Sequence, residues 1–555
     1  MLKSLSYLLL LLPILSAVAI AFAPTKSAKW IAAAGTSVIF AISVMFAWAF
    51  TGWSSGAIAP LDAVTPILPE FGINISLGAS SVGVMLILLT AFLMPLAMIG
   101  SFTAIREREK EYYAWFLVLE ATMLGVFLAR DAVFFYTCFE FSLVPMYFLI
   151  AIFGGAERRA ASIKFFIYMF FGSVFTLAGL IYMAVQYKLQ IGNGWSFDLD
   201  TLVAFSSNPE YMSKSQQFWI FVLLMTGFAV KVPFFPVHTW LPLAHDQAPT
   251  AGSVILAGAL LKFGTYGVYR IALPAAPVGA IELDQFFAII CLIGIVNAAL
   301  ICWVQHDVKK LIAYSSVSHL CFCMLGMFSL NSVGTTGAFM YMINHGLSTG
   351  ALFLCIGMIY ERYHTKDMDK LGGLFRRMPV WSFFMVFFTL SSLGLPGLNG
   401  FVGEFLCLMG CFTADVDAVA GYPGLLGPWY AIIAVLGLIV SAMYLLIMLG
   451  KIVWGPLREP LDHAHTSHAA SALPRDLSLR EISILTPIAL VSLFIGFYPN
   501  PMLQPIGKDI EESLASYPKL VEEYRQNGSL VWPESAKSDG VARTELDTPT
   551  MAKSR

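Results

Sequence analysis

The sequence predicts an all-α polytopic membrane protein of about fourteen transmembrane helices, on three observations. Of its 555 residues, 58% are hydrophobic and only 12% charged, whereas an average soluble chain is about 25% charged. Mean hydropathy is +0.75. Apolar runs long enough to cross about 30 Å of hydrocarbon, which takes roughly 20 helical residues, recur along the chain. Lys and Arg number 33 against 35 Asp and Glu, a net charge of −2, so there is no basic footprint for nucleic acid. The eight cysteines (138, 291, 302, 321, 323, 355, 407 and 411) form no C-x-x-C pair, which suggests neither a zinc nor an iron–sulfur site. A strand-linked G-x-G-x-x-G and a Walker A motif are both missing from the sequence. Any redox or nucleotide chemistry coupled to this chain is expected on another one.

In chain order the runs fall near 5–22, 30–51, 80–103, 111–130, 131–153, 161–184, 217–234, 250–272, 283–304, 308–328, 333–358, 379–411, 428–454 and 481–499. The first resembles a signal peptide, with Lys3, an apolar stretch and Ala21-Phe22-Ala23. Cleavage there would leave proline at the new terminus and would swap the side of every later loop, so a retained helix is favoured. The fourth and fifth runs touch at Arg130-Asp131, read as a tight hairpin tip. The seventh is interrupted by Pro233 and Pro236, the twelfth by Gly394-Leu395-Pro396-Gly397 and Asn399-Gly400.

Loop charge sets the expected orientation. With the N-terminus outside, nineteen basic loop residues fall on the inner side, among them Arg106, Arg158, Lys309, Arg362 and Arg458. The short outer segments hold only Lys3, Arg130, Lys188, Lys214 and Arg270. The positive-inside rule therefore places both termini outside. The polar tail carries further basic residues, but long segments cross regardless of charge.

A charge at the middle of a membrane helix costs roughly 2.5–3.5 kcal/mol on insertion scales. Five residues fall there: Glu120, Glu140, Lys231, Lys262 and Glu404. One such charge is readily a structural ion pair; five spread over helices four, five, seven, eight and twelve read as an ion or proton path. Pro233 and Pro145 also remove the helical donors to the carbonyls of Ala229 and Phe141, close to Lys231 and Glu140. Polar backbone at membrane depth persists only where protein or water satisfies it.

Grouping helices four to eight and nine to thirteen places each broken helix fourth in its unit. Two five-helix units have opposite orientations, and matched interrupted helices in inverted repeats mark transporters. The expected division is thus 1–110 (helices one to three), 111–272 and 273–455 (the two repeats), 456–500 (a loop and the last helix) and 501–555 (a polar tail). The pairing matches Glu140 with His319 and Lys231 with Glu404. His319 and His345 lie deep in helices ten and eleven, where an imidazole can relay protons or serve as a satisfied core residue. His238 and His245 flank the seventh-helix break, and His463, His465 and His468 sit in a polar loop, read as solvated.

Three stretches carry a family resemblance. They are Lys231-Val-Pro-Phe-Phe-Pro-Val-His238-Thr-Trp-Leu-Pro-Leu-Ala-His245 with its continuation through Lys262 to Arg270, His306-Asp-Val-Lys-Lys-Leu-Ile-Ala-Tyr-Ser-Ser-Val-Ser-His319, and Gly394-Leu-Pro-Gly-Leu-Asn-Gly-Phe-Val-Gly-Glu404. Together they resemble the subunit M (chain 4) family of NADH:quinone oxidoreductase, respiratory complex I, over about residues 80–455. The resemblance implies an antiporter-like fold in a bacterial inner membrane, where the outside termini expected from loop charge would be periplasmic. The implied activity is proton translocation by a non-redox subunit, coupled to electron transfer elsewhere in the complex. No cofactor is implied in this chain; flavin, iron–sulfur clusters and quinone belong to other subunits, and the implied partners are the sister subunits L and N and the lipid bilayer. By motif position, Glu140 and Lys231 match a glutamate–lysine pair, Lys262 the central lysine and Glu404 the terminal acid of a relay. His319 and His345 match polar positions on the axis between them. Glu120 and His238 are further candidates. Subunits L and N usually carry lysine where this chain has Glu404. Chains of multisubunit sodium/proton antiporters and membrane-bound hydrogenases share the Lys-x-x-x-x-Pro-x-His core and are the alternative reading.

Overall fold

In the computed structural model, residues 1–50, 53, 59–192, 194–414, 424–460 and 475–532 are described. His463, His465 and His468 lie outside them. Among the described residues, twelve helices are long and apolar enough to cross a membrane. They are Leu2–Phe22, Thr25–Ala49, Ser81–Gly100, Glu109–Leu128, Ala132–Phe153, Arg158–Ile191, Thr250–Ala275, Asp284–Trp303, Val308–Phe328, Ser332–Tyr363, Pro428–Ile452 and Leu479–Phe497. The two interrupted runs form shorter pieces: Lys214–Lys231 followed by Trp240–Gln247, and Pro379–Ser392 followed by Asn399–Phe412. The described residues of these runs are largely helical, and the helices keep the numbers of the runs in chain order.

Short polar side chains start many of these helices, because the first turn leaves backbone N–H groups that hydrocarbon cannot satisfy. The Ser80 hydroxyl accepts from Gly83 N, Asp307 from Lys309 and Lys310 N, and Asn331 from Gly334 N. Ser213 with Gln216 and Ser478 with Glu481 form reciprocal capping boxes. At the tip between helices four and five, Asp131 caps the fifth helix through Val133 and Phe134 N. Arg130 turns away to pair with Asp200 at 2.6 Å, and Arg270 reaches the other oxygen of the same carboxylate.

Burial separates axis from perimeter. The apolar windows of the eighth and eleventh helices are 100% buried and that of the tenth 94%, against 39% for the first, second, sixth, thirteenth and fourteenth. The eighth, tenth and eleventh helices therefore meet protein on all sides, and Lys262, His319 and His345 sit on them.

Three features differ from the sequence reading. The loop before the third helix contains a β-hairpin, Ala59–Leu68 paired antiparallel with Ile73–Ala79. Its tight connection ends in Gly72 at φ 64°, a conformation glycine adopts without steric cost. The polar tail begins with two amphipathic helices, Asn500–Ser513 and Tyr517–Asn527. Asp509 of the first accepts from Val82 N and from the Tyr269 hydroxyl, both at 2.9 Å. Finally, the Ala229 carbonyl does not stay open at the seventh-helix break. Phe234 N donates to it at 2.9 Å, and the Trp240 indole takes the Val230 carbonyl at 3.1 Å.

Candidate functional site

The eighth helix carries Lys262 between two π-helical stretches, Leu256–Leu260 and Val268–Ala272. The wide turn is seen where Leu261 N bonds Leu256 O, five residues back, at 3.2 Å. Such π-bulges interrupt the regular ladder and occur often at functional sites. Here the Ala257 carbonyl accepts the Lys262 ammonium at 2.5 Å. The same Nζ lies 2.9 Å from His345 Nδ1. An ammonium has donors only, so Nδ1 is the acceptor and the hydrogen of a neutral His345 ring sits on Nε2.

From His345 the polar row continues across the tenth and eleventh helices to the twelfth. The His319 ring lies 5.8 Å from that of His345, centroid to centroid. His319 Nδ1 hydrogen-bonds the Tyr341 hydroxyl, which donates to Glu404 Oε1 at 2.8 Å. Lys262, His319, Tyr341, His345 and Glu404 are all buried. The break before the twelfth helix shapes the end of the row. Gly394, at φ 68°, lies directly against the Glu404 carboxyl. Gly403 lets the twelfth helix touch the eleventh: a Cβ there would sit 2.6 Å from the Tyr341 backbone. Small residues at helix contacts allow this approach. Asn399 closes the break, accepting from Ser391 Oγ at 2.5 Å through its side chain and from Asn344 Nδ2 at 2.5 Å through its carbonyl.

The glutamate–lysine pair is arranged less directly. Lys231 ends its helix, with its ammonium 4.1 Å from the Phe139 ring centroid and 5.5 Å from that of Phe263. It donates to the Phe139 carbonyl at 3.4 Å. Glu140 is half-buried, and its Oε2 has no hydrogen-bond partner. No ion pair within 4.0 Å joins Glu140 to Lys231 among the described residues. Cation–π contact with the two phenyl rings takes the place of a direct bridge.

Glu120 stands apart: it is buried, and neither carboxyl oxygen has a hydrogen-bond partner. His238 stacks on Phe235 at 5.8 Å with Nδ1 unpartnered, outside the central row. His245 stacks on Phe353 at 4.7 Å, with both ring nitrogens unpartnered. Beside it lies a cluster the sequence reading left out. Lys309 donates to the Ala248 carbonyl at 2.6 Å, and Asp246 pairs with Lys366 and, at 3.8 Å, with Lys310. Tyr341 was also not among the expected residues. Its signal was available, since it precedes His345 by four residues and so shares a face of the eleventh helix. The eight cysteines are all free, and among the described residues no group of three or more His, Cys, Asp or Glu converges as a metal site.

Residues 129–426 match the family model described as NADH:quinone oxidoreductase/Mrp antiporter, TM. The chain is 39% identical over 504 residues to NADH-quinone oxidoreductase subunit M of Rhodobacter capsulatus, covering 89% of this chain and 92% of that one. It is 35% identical over 500 residues to NADH-ubiquinone oxidoreductase chain 4 of Arabidopsis thaliana, covering 89% and 94%. Among solved structures it resembles a chain of respiratory complex I from Thermus thermophilus, with a TM-score of 0.76 and 26% identity, over 93% of this chain and 100% of that one. The Mrp complex from Dietzia sp. DQ12-45-1b contains a chain of the same fold, with a TM-score of 0.76 at 19% identity over 93% and 98%.

Proposed function

Because this chain belongs to the NADH:quinone oxidoreductase/Mrp antiporter transmembrane family, we propose that it is the proton-translocating subunit M of an NADH:quinone oxidoreductase. The observation that carries this reading is the buried row Lys262–His345–His319–Tyr341–Glu404, in a chain 39% identical to a subunit M. Each member can hold or pass a proton, and the row ends on an acid at 404. The protein is an integral membrane subunit of a multisubunit complex. Its neighbours in the membrane arm are the sister subunits L and N, in a bacterial inner membrane with both termini periplasmic. Flavin, iron–sulfur clusters and quinone reside on other subunits.

The mechanism is an electrostatic relay. Two unit charges 4 Å apart interact by about 4 kcal/mol at an effective permittivity near 20. Moving one charge against 100 mV costs about 2.3 kcal/mol. A change in the spacing of Glu140 and Lys231 is therefore large enough to gate one proton. With Lys231 resting on the Phe139 and Phe263 rings, a shift toward Glu140 strengthens its charge and a shift away weakens it. Lys262 responds to that change and passes its proton along the histidines to Glu404. The broken twelfth helix brings Glu404 to the end of this row, and the broken seventh helix ends on Lys231, the residue that gates it.

The test is purification through an affinity tag on this chain, followed by reconstitution into vesicles. NADH-driven quinone reduction that acidifies the vesicle lumen is the expected result. A complex that exchanges sodium for protons and has no NADH oxidation would replace this reading with the antiporter one.

A further inference from the structure

We propose that Tyr341 is a proton-relay residue, its phenol carrying the proton between His319 and Glu404. The proposal deepens the proton-translocating reading and rests on it. Among the described residues the phenol is the one group hydrogen-bonded to both His319 and Glu404. A single oxygen thus spans the step from the tenth helix to the twelfth.

The chemistry of the three groups fixes the direction of the hydrogen bonds. The Tyr341 hydroxyl donates to Glu404 Oε1 at 2.8 Å, so its lone pair accepts from His319 Nδ1–H. The resting state is then a neutral His319 with hydrogen on Nδ1, a phenol and a Glu404 carboxylate. A proton arriving at His319 Nε2, an atom with no protein partner, makes an imidazolium. The Nδ1–H bond breaks as a new Tyr341 O–H bond forms, and the original O–H bond breaks as an O–H bond forms on Glu404. One proton enters at Nε2 and one arrives on Glu404, and the phenol is never left as a free anion. Each passage leaves His319 in its other neutral tautomer, so a turnover includes the return of that tautomer.

Packing holds the phenol in this geometry. Tyr341 is 2% exposed. Its ring meets His319 edge-on at 5.6 Å and Phe322 at 5.6 Å. Gly403, the residue before Glu404, presses on the Tyr341 backbone and sets the distance between the helices. A phenol both accepts and donates through one atom, whereas the phenylalanine that would fill the same volume does neither.

The experiment compares Tyr341→Phe, Tyr341→Gln and Lys262→Ala in the intact complex, with assembly followed by native gel. NADH-driven acidification is measured per assembled complex in inverted membrane vesicles. Gln offers a donor and an acceptor to the same neighbours but does not pass a proton through one atom. A relay predicts that both Tyr341 variants assemble, keep the KM for NADH and lose roughly tenfold or more in acidification rate. Full acidification by Tyr341→Gln would reduce Tyr341 to a positioning residue and overturn the proposal; so would full acidification by Tyr341→Phe. If Tyr341→Phe does not assemble, Tyr341→Gln decides alone. The Lys262→Ala control separates the two levels. Unchanged acidification there contradicts the proton axis itself. Its loss alongside an active Tyr341 variant contradicts only the role of the phenol.

Discussion

Lys231 is held by two phenyl faces and one carbonyl, with no carboxylate in direct contact, so the link to Glu140 acts through space. Glu140→Gln removes the charge and keeps the shape. The complex should assemble while NADH-driven acidification falls by about tenfold or more. Full acidification from an assembled variant would show that this carboxylate gates nothing. Asp200, in the connection between the sixth and seventh helices, supplies a pH-dependent prediction. Burial pushes its carboxyl up, but the Arg270 and Arg130 guanidiniums beside it outweigh burial and hold it below the usual carboxylate value. A depressed acid contributes stability that is full above its unfolded value, near 3.9, and is lost as pH falls through the lower folded value. Asp200→Asn should therefore melt below the parent at neutral pH, with the gap closing under strong acid; a gap that is flat down to pH 2 would contradict the pairing. Charges in helix centres were legible in the sequence because hydrocarbon makes each one expensive. Tyr341 was legible only as a neighbour of His345 on one helix face, because a tyrosine costs little to bury and the contacts across helices give it its role.

At the scale of elements, the breaks in the seventh and twelfth helices were legible because proline removes a donor and Gly-Pro-Gly-Asn runs do not continue a helix. The π-turns around Lys262 were not, since they arise from packing of a fully buried helix rather than from any residue type. The hairpin and the tail helices escaped for a related reason. The tail helices bury only a few apolar positions, Ile506, Ile510, Tyr517 and Val521, and the hairpin leaves Val64, Ile67 and Leu68 exposed, so a search for long apolar runs detects neither. Asp509 shows how firmly the tail is attached: it bonds the start of the third helix and Tyr269 of the eighth. Burial pushes this carboxyl above the usual range, although the Val82 N–H pulls it back. Asp509→Ala leaves two buried donors unpaired and should destabilise the tail contact by about 1–3 kcal/mol. The check is faster proteolysis of the 500–532 segment in detergent-solubilised complex, with the rest of the chain intact; unchanged cleavage would mean that apolar contacts alone hold it. Gly394→Ala puts a side chain into the Glu404 carboxyl at a positive φ. It should slow acidification while leaving NADH oxidation by the rest of the complex measurable.

At the scale of the whole molecule, apolar helices surround the buried row from Lys262 to Glu404, and ion selectivity follows from the groups in that row. A sodium site needs several hard oxygen ligands converging on one cavity. Here the row begins at an ammonium, passes two imidazoles and a phenol, and offers one carboxylate at its far end. Proton transfer needs no cage. Acidification should be the same in potassium and sodium buffers at fixed ionic strength, and labelled sodium flux should not follow NADH oxidation. Sodium flux that tracks NADH oxidation would favour the antiporter reading. The class and the chemistry were legible from composition and intramembrane charge. The order Lys262, His345, His319, Tyr341, Glu404 was not, because it depends on four helices meeting at one depth. That order is tested most directly by the number of protons moved per electron pair in reconstituted complex carrying Lys262→Ala. An assembled complex with a clearly lower ratio than the parent is expected. An unchanged ratio would contradict the claim that protons pass along this axis.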